Sequence, residues 1–407
     1  MTDVLISGGG VAGSALAWWL RRHGLRPTVV ERAPAPRDGG YKVDVRGAAL
    51  TVLDRMGLTG QVRAHDTGMR LARFLDGRGR QLATMDAALF GGRSDDDVEI
   101  MRGDLTRILR AAAGDVEHRF DDSVTALRAD ADGVDVTFAR GPRRRFDLVI
   151  GADGLHSTVR RLAFGPASRH LRPLGHHIAI CTVPAGFGEE RVELLHPAPG
   201  RSVGVYRTAG APDARALFLF HSPGDAGDHG DPGDRGDVAA QRALLGRAFA
   251  GAGWRVPELL AALPDAPDLY LDEMSQVRMA SWSAGRVGLV GDAAYAASPA
   301  SGQGTSLGLV GAYVLAAALA EAGGNPAAGF AAYERRMRPF VAANQALAER
   351  NLKGMVLGSA GQIRFQTLML RLLPRLPGRE RMISRVAEPI RRAATAITLP
   401  DLPTRAT

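Results

Sequence analysis

The sequence predicts an α/β fold: a parallel sheet of the nucleotide-binding kind, an inserted antiparallel sheet, and a helical C-terminal part. Residues 1–32 read as strand, glycine turn, helix and strand. Two later apolar strands, 148–150 and 287–290, each run directly into a glycine-led turn, as buried parallel strands do. Residues 178–221 pass through four short strands with no helix between them, the signature of an antiparallel sheet.

Size and composition agree. A length of 407 residues suggests two or three units at roughly 150 residues each. A hydrophobic share of 45% with a net charge of +8 excludes a disordered chain and a membrane protein. Only Lys42 and Lys353 are lysines, and the arginines are spread along the chain rather than gathered in one block. That argues against nucleic-acid binding and for a basic field that attracts anionic small molecules. The single Cys181 rules out an internal disulfide and a Cys-rich metal site, and reads as a small buried hydrophobe. No basic segment followed by a long apolar one opens the chain, and the nearly apolar run 309–320 is shorter than the ~20 residues of a spanning helix. A cytoplasmic protein without a membrane segment is expected.

Taken in order, Val4, Leu5 and Ile6 form the first strand, and the glycine turn runs from Gly8 to Gly13. The helix ends near His23, where Arg21 and Arg22 suit the negative end of its dipole and Gly24 stops it. Thr28 to Val30 form the second strand, ended by Glu31. Leu50, Leu53 and Met56 suggest a short helix, residues 69–86 a hairpin turning at Asp76-Gly77-Arg78-Gly79, and Leu105, Ile108 and Leu109 a helix face. Residues 116–146 read as an antiparallel meander, with Arg143 to Arg145 on its solvated surface. The second sheet takes strands 178–183, 192–196, 203–207 and 216–221. Gly-Asp-x triplets over 224–238 lack the pattern of calcium-binding repeats and read as a mobile surface loop. A helix starts at Thr305, and the chain is helical from Tyr333, where Phe365, Leu368, Met369 and Leu372 form a stripe expected to pack across both domains.

Chemistry concentrates in the turns. Gly8, Gly10 and Gly13 form G-x-G-x-x-G between strand and helix, which allows a tight turn, close approach of a pyrophosphate, and helix–strand packing. Glu31 ends the next strand, where a carboxylate bonds both ribose hydroxyls of an adenosine and rejects a 2′-phosphate. The ligand is therefore NAD or FAD. Strand 148–150 leads into Gly151-Ala152-Asp153-Gly154-Leu155-His156-Ser157-Thr158-Val159-Arg160, and strand 287–290 into Gly291-Asp292-Ala293-Ala294.

These three segments together resemble the single-component flavoprotein aromatic hydroxylases, the class of para-hydroxybenzoate hydroxylase, with the closest look to the tetracycline-inactivating monooxygenases. The resemblance covers residues 1 to about 350. It implies a Rossmann-like FAD-binding domain (1–68, 97–172 and 276–345), an inserted substrate domain (69–96 and 173–275), and C-terminal helices and tail (346–407). Gly8, Gly10, Val11, Ala12 and Gly13 would hold the FAD pyrophosphate, Glu31 the ribose and Arg32 the adenine edge. Asp292 matches the aspartate that bonds the ribityl chain, Arg102 the arginine near ribityl and pyrophosphate, and Asp153 an aspartate serving FAD and the nicotinamide cofactor, with Arg160 holding its loop. Residues 39–47 resemble the loop beside the isoalloxazine, and Arg46 stands there in place of a small polar residue. Pro299, Gly302, Gly304 and Thr305 border the ring, and the helix that follows presents its N-terminus where reduced flavin becomes anionic. His177, Phe218, Phe220 and Pro299 are the candidate substrate walls.

The implied reaction consumes NADPH or NADH to reduce FAD. O₂ then adds at flavin C4a, and one oxygen of the hydroperoxide passes to an aromatic or polycyclic, polyketide- or antibiotic-like substrate. No metal is needed and no acid or base is assigned, although His176, Tyr206 and Tyr295 could assist a phenol deprotonation. A monomer or homodimer is expected. An FAD-dependent reductase and a halogenase share this core, but the Trp-x-Trp-x-Ile-Pro signature of the halogenases is absent. A non-catalytic, redox-sensing FAD protein is the remaining alternative, and retention of the ring-facing loop 299–304 argues against it.

Overall fold

The structure, a computed structural model, describes residues 1–36, 39–221, 237–373, 377 and 379–401; the Gly-Asp-x run up to residue 236 lies outside the described residues. Six strands form the first sheet, in the order Ser283–Ala284, Val287–Leu289, Leu148–Gly151, Asp3–Ser7, Arg26–Val30 and Glu117–Arg119. All neighbours run parallel except the outermost pair, Ser283–Ala284 with Val287–Leu289. Val4, Leu5, Ile6, Val149 and Ile150 are fully buried, so both faces must be covered. The glycine turn lifts the chain into helix Val11–Arg22, which packs between helices Arg102–Ala113 and Gly304–Glu321.

Helix Gly304–Glu321 is long and apolar enough to cross a membrane by length and composition. Its residues from Ser306 to Leu319 are all buried, however, because helices Val11–Arg22, Ala48–Arg55 and Pro326–Met355 surround it. A helix that is apolar all round is here a core helix.

A three-stranded meander, Val124–Ala129, Val134–Phe138 and Arg144–Phe146, lies beside the parallel sheet. Glu117–Arg119, which the pattern groups with that meander, instead extends the parallel sheet, where Thr28 Oγ1 donates to Glu117 Oε2 at 3.1 Å. The second sheet has seven strands, in the order Tyr270–Val277, Leu171–Pro184, Asp213–His221, Arg201–Arg207, Val192–Ala198, Leu71–Leu75 and Gln81–Asp86. The early hairpin thus joins a sheet whose other strands lie a hundred residues on, and pairs in parallel with Val192–Ala198.

Two features are absent from the pattern reading: the edge strand Tyr270–Val277, and helices Val238–Ala248 and Val256–Ala262, which cover one face of the second sheet. That covered face buries Ala179, Cys181, Val203, Val205, Phe218, Phe220, Leu245 and Phe249, and burial pushes the Cys181 thiol up to about 12. One expectation is corrected at the C-terminus. Helix Ala360–Leu372 packs against strand Gln81–Asp86 but buries Ile363 and Thr367, and leaves Phe365, Leu368 and Met369 exposed. Periodicity finds an apolar stripe on such a helix without saying which stripe meets the sheet.

An ion network ties the second sheet to a two-stranded ribbon. Strands Lys42–Val45 and Val98–Met101 form an antiparallel ribbon that packs on helices Gly304–Glu321 and Arg102–Ala113. Lys42 Nζ lies 2.7 Å from Glu193 Oε2 on the second sheet and 3.2 Å from Glu99 Oε2. Arg93 pairs with Glu99 and Asp44, Thr67 Oγ1 donates to Glu99 at 2.6 Å, and the Lys42 N–H donates to Tyr206 Oη at 3.1 Å. Burial alone would push Glu99 up, but Lys42 and Arg93 outweigh it and hold the carboxyl below its ordinary range. Removing the cation would leave Glu193 buried without its counter-ion, while Glu99 keeps Arg93 and Thr67. Lys42→Met is expected to destabilise the fold by about 3–5 kcal/mol in urea unfolding. The double variant K42M/E193Q should recover most of that loss, because Glu99 keeps its pair with Arg93.

Candidate active site

Every candidate cofactor residue of the first sheet lies at the carboxyl end of a parallel strand, where open α/β sheets form their binding crevice. Gly8 has φ +108°, and a Cβ on it would meet the Ala152 carbonyl at 2.5 Å. A Cβ on Gly13 would stand 1.9 Å from the Gly8 carbonyl oxygen. The spacing of these glycines therefore reflects a turn that no side chain fits. Gly10 N-caps helix Val11–Arg22, and the Glu31 carboxylate accepts from the Gly9 and Ala33 N–H groups, both at 2.9 Å, which fixes it against the turn. Arg32 is exposed beyond it.

Asp153 caps the next helix, Thr158–Phe164, accepting from Ser157 Oγ and from the Thr158 and Val159 N–H groups at 2.8 and 3.1 Å. Burial raises its carboxyl above the ordinary range against those bonds. Arg160, 1% exposed, donates Nη1 to the Ala293 carbonyl at 2.9 Å and Nη2 to the Leu155 carbonyl at 2.5 Å. One guanidinium thereby joins the Asp153 loop to the Asp292 loop. Asp292 itself is exposed in the crevice opposite Arg102, whose guanidinium reaches within 4.0 Å of a Cβ placed on Gly10 and 5.8 Å of the Tyr41 ring centroid. The packed crevice floor pushes the Asp292 carboxyl up, and Arg102 draws it back down.

The loop 298–304 forms the crevice wall. Ser298 has φ +78°, a left-handed conformation unusual for a residue with a side chain, and it turns Pro299 outward into exposure. The Pro299 carbonyl accepts from the Gly302 N–H at 3.0 Å. Gly304 and Thr305 open helix Gly304–Glu321 beside Asp292. Gln303, which sequence reasoning passes over, is fully buried with both amide atoms unpaired. A glycine turn that only backbone can occupy, a carboxylate and a guanidinium facing one another, an unpaired amide and a helix N-terminus fit the diphosphate, polyol and ring of FAD in that order.

Several side chains lie elsewhere than the sequence suggests. Arg46 is 3% exposed, with its guanidinium bound to Asp44 at 2.6 Å and to the Gly91 and Gly92 carbonyls, so only its backbone meets the helix, through Ser306 Oγ at 3.3 Å. Phe218 and Phe220 point into the core under helices Val238–Ala248 and Val256–Ala262, and His177 stacks on Phe220 with ring centroids 5.1 Å apart. As substrate walls these three are corrected: side chains alternate along a strand, and theirs face away from the crevice. The facing set on the same strands is Ile178, Ile180, Leu217 and Leu219, and Ile178, Leu217 and Leu219 cluster with Met274 and with Ala300 of the loop 298–304. Tyr295 is likewise a core residue, bonded to Tyr333 Oη at 3.0 Å. The Tyr206 Oη is held by Lys42, and His176 stacks on His221. At the crevice edge, His156 Nε2 and Tyr270 Oη both meet Asp272 Oδ2, a group that the separated sequence positions do not advertise.

Comparison with known proteins accords with this geometry. The family model described as FAD binding domain matches residues 1–172 and 268–348. A flavin-dependent monooxygenase of Legionella longbeachae is 39% identical over 342 residues, covering 84% of this chain and 86% of that protein. An uncharacterized protein of Mycobacterium tuberculosis is 45% identical over 357 residues, 87% of this chain and 94% of its own length. Among solved structures, the tetracycline destructase Tet(55) superposes with a TM-score of 0.83 at 34% identity, covering 98% of this chain and 99% of its own. The chain belongs to the FAD binding domain family and, within it, to the FAD-dependent monooxygenases.

Arg160→Met removes the tie between the second and third loops, two charge-assisted bonds of about 1.5–3 kcal/mol each. An FAD affinity at least tenfold weaker, read by fluorescence titration of the apoprotein, is expected with the secondary structure retained.

Proposed function

We propose that this enzyme uses NADPH or NADH to reduce bound FAD and inserts one atom of O₂ into an aromatic or polycyclic small molecule in the cytoplasm. The observation that carries the reading is the convergence of the three strand-to-turn junctions on one crevice, whose ring-facing loop touches the apolar face of the second sheet through Ala300. The flavin supplies the redox and oxygen chemistry.

The residues of this chain have three tasks. Gly8, Gly10, Val11, Ala12, Gly13, Glu31 and Arg32 hold the adenosine diphosphate part; Arg102, Asp153 and Asp292 hold the middle; Pro299, Gly302, Gly304 and Thr305 border the ring. The N-terminus of helix Gly304–Glu321 favours the anionic ring. Ile178, Ile180, Leu217 and Leu219 give the substrate an apolar wall that keeps water from the reacting atoms, a requirement for coupling oxygen consumption to product. Kinship with a tetracycline destructase supports a polycyclic, phenol-like substrate.

The test follows NADPH oxidation and H₂O₂ release by the holoprotein with and without phenols and tetracyclic polyketides. Ligand-stimulated oxidation that exceeds peroxide release is the expected result. A bound flavin that neither NADPH nor NADH reduces under any ligand would contradict the proposal.

A further inference from the structure

The charge of this chain is unevenly placed. Residues 350–407 carry eleven basic and three acidic side chains, so the whole excess of +8 sits there and residues 1–349 sum to zero. Within that part, helix Arg379–Ala394 lies against helix Pro326–Met355, and the two enclose an open groove of about 530 Å³. Arg350 stands on one wall, and Arg385, Arg391 and Arg392 on the other. Arg391 and Arg392 share Glu388, the groove's one acidic side chain. Arg350 and Arg385 have no ion pair or hydrogen bond among the described residues. Ala343, Ala346, Leu347 and Pro389 make the floor apolar.

The inner end of the groove abuts buried chain beside the crevice. Asn344 Nδ2 donates to the Ala393 carbonyl at 3.1 Å, and the next carbonyl, of Ala394, lies 2.5 Å from where a Cβ on Gly47 would stand. Gly47 follows Arg46, whose N–H is held by Ser306 of the helix that begins at the ring-facing loop. The groove's inner end, at Ala393, is therefore separated from the loop 46–47 at the flank of the crevice only by the packed Ala393–Ala394 segment.

We propose that this groove is the docking site of the nicotinamide dinucleotide, with Arg350 and Arg385 holding its phosphates across the two helices. Two unpaired guanidiniums on opposite walls match phosphate oxygens, and the apolar floor suits a base or ribose face. A chain with one dinucleotide fingerprint, already given to FAD, needs a second phosphate site without a glycine turn, and a surface groove suits a ligand that binds and leaves in each cycle. The inference rests on the monooxygenase reading for the identity of the nucleotide, while its binding test does not.

The holoprotein, with FAD in place so that its own site is closed to adenosine, is titrated calorimetrically with 2′,5′-ADP at fixed low salt. Arg350→Gln/Arg385→Gln should raise Kd about tenfold or more, while Glu388→Gln, which releases Arg391 and Arg392, should lower it. In turnover the double variant should raise KM for NADPH and leave kcat near its original value. An unchanged Kd in the double variant overturns the proposal, as does equal displacement of 2′,5′-ADP by inorganic phosphate. Sedimentation of the wild type, but not the variant, with phosphatidylserine vesicles at an unaltered 2′,5′-ADP affinity would assign the charge to a lipid surface instead. A flavin that neither NADPH nor NADH reduces sinks the monooxygenase reading and leaves the equilibrium titration to decide the groove.

Discussion

Arg160 is the constraint on which the site depends. A guanidinium is costly to bury, and this one is buried at the meeting of two loops that come from different strands of the parallel sheet. It stays because two carbonyls and the neighbouring Asp153 compensate it, and together they fix the Asp153 and Asp292 turns relative to each other. The third turn is held by contact: a Cβ on Gly8 would strike Ala152, and the Cβ of Ala12 lies 2.9 Å from where one on Gly291 would be. Three strand ends become one crevice through one cation and a few positions where only glycine fits.

The second sheet does the opposite work. One face packs on its own helices, and the other meets the first domain through Lys42, Tyr206, Arg215 and Ala300. Arg215 Nε reaches the Gly40 carbonyl at 3.3 Å, so the loop 39–47 is held from both sides. The buried carboxylates Glu99 and Glu193 face the one lysine of the ribbon, and this arrangement fixes the second sheet against the ribbon.

Much of the parallel sheet is legible in the sequence because buried parallel strands are continuous apolar runs and glycine turns are required at fixed spacing; Gly8, Gly13 and Asp153 could be placed from the sequence alone. The inner face of the second sheet could not. A period of two says that Phe218 and Phe220 share a face with each other and not with Leu217 and Leu219, but which face is covered depends on helices 238–262, whose small, mixed residues give little periodicity. Arg46 shows the same limit, since its partners at 44 and 91–92 are assembled only by folding. In the His156–Asp272–Tyr270 group, His156 lies more than a hundred positions from the strand that carries its partners, and no local spacing signals the contact.

One site built from three junctions would read both halves of FAD, the adenosine through Glu31 and the flavin through the loop 298–304. Titrating the apoprotein with FAD and with FMN, by quenching of flavin fluorescence, tests it directly. FAD is expected to bind at least a hundredfold tighter than FMN, because FMN leaves the glycine turn and Glu31 without a partner. Equal affinities would show that the turn at Gly8 to Gly13 does not hold the ligand, and the assignment of the crevice would fall.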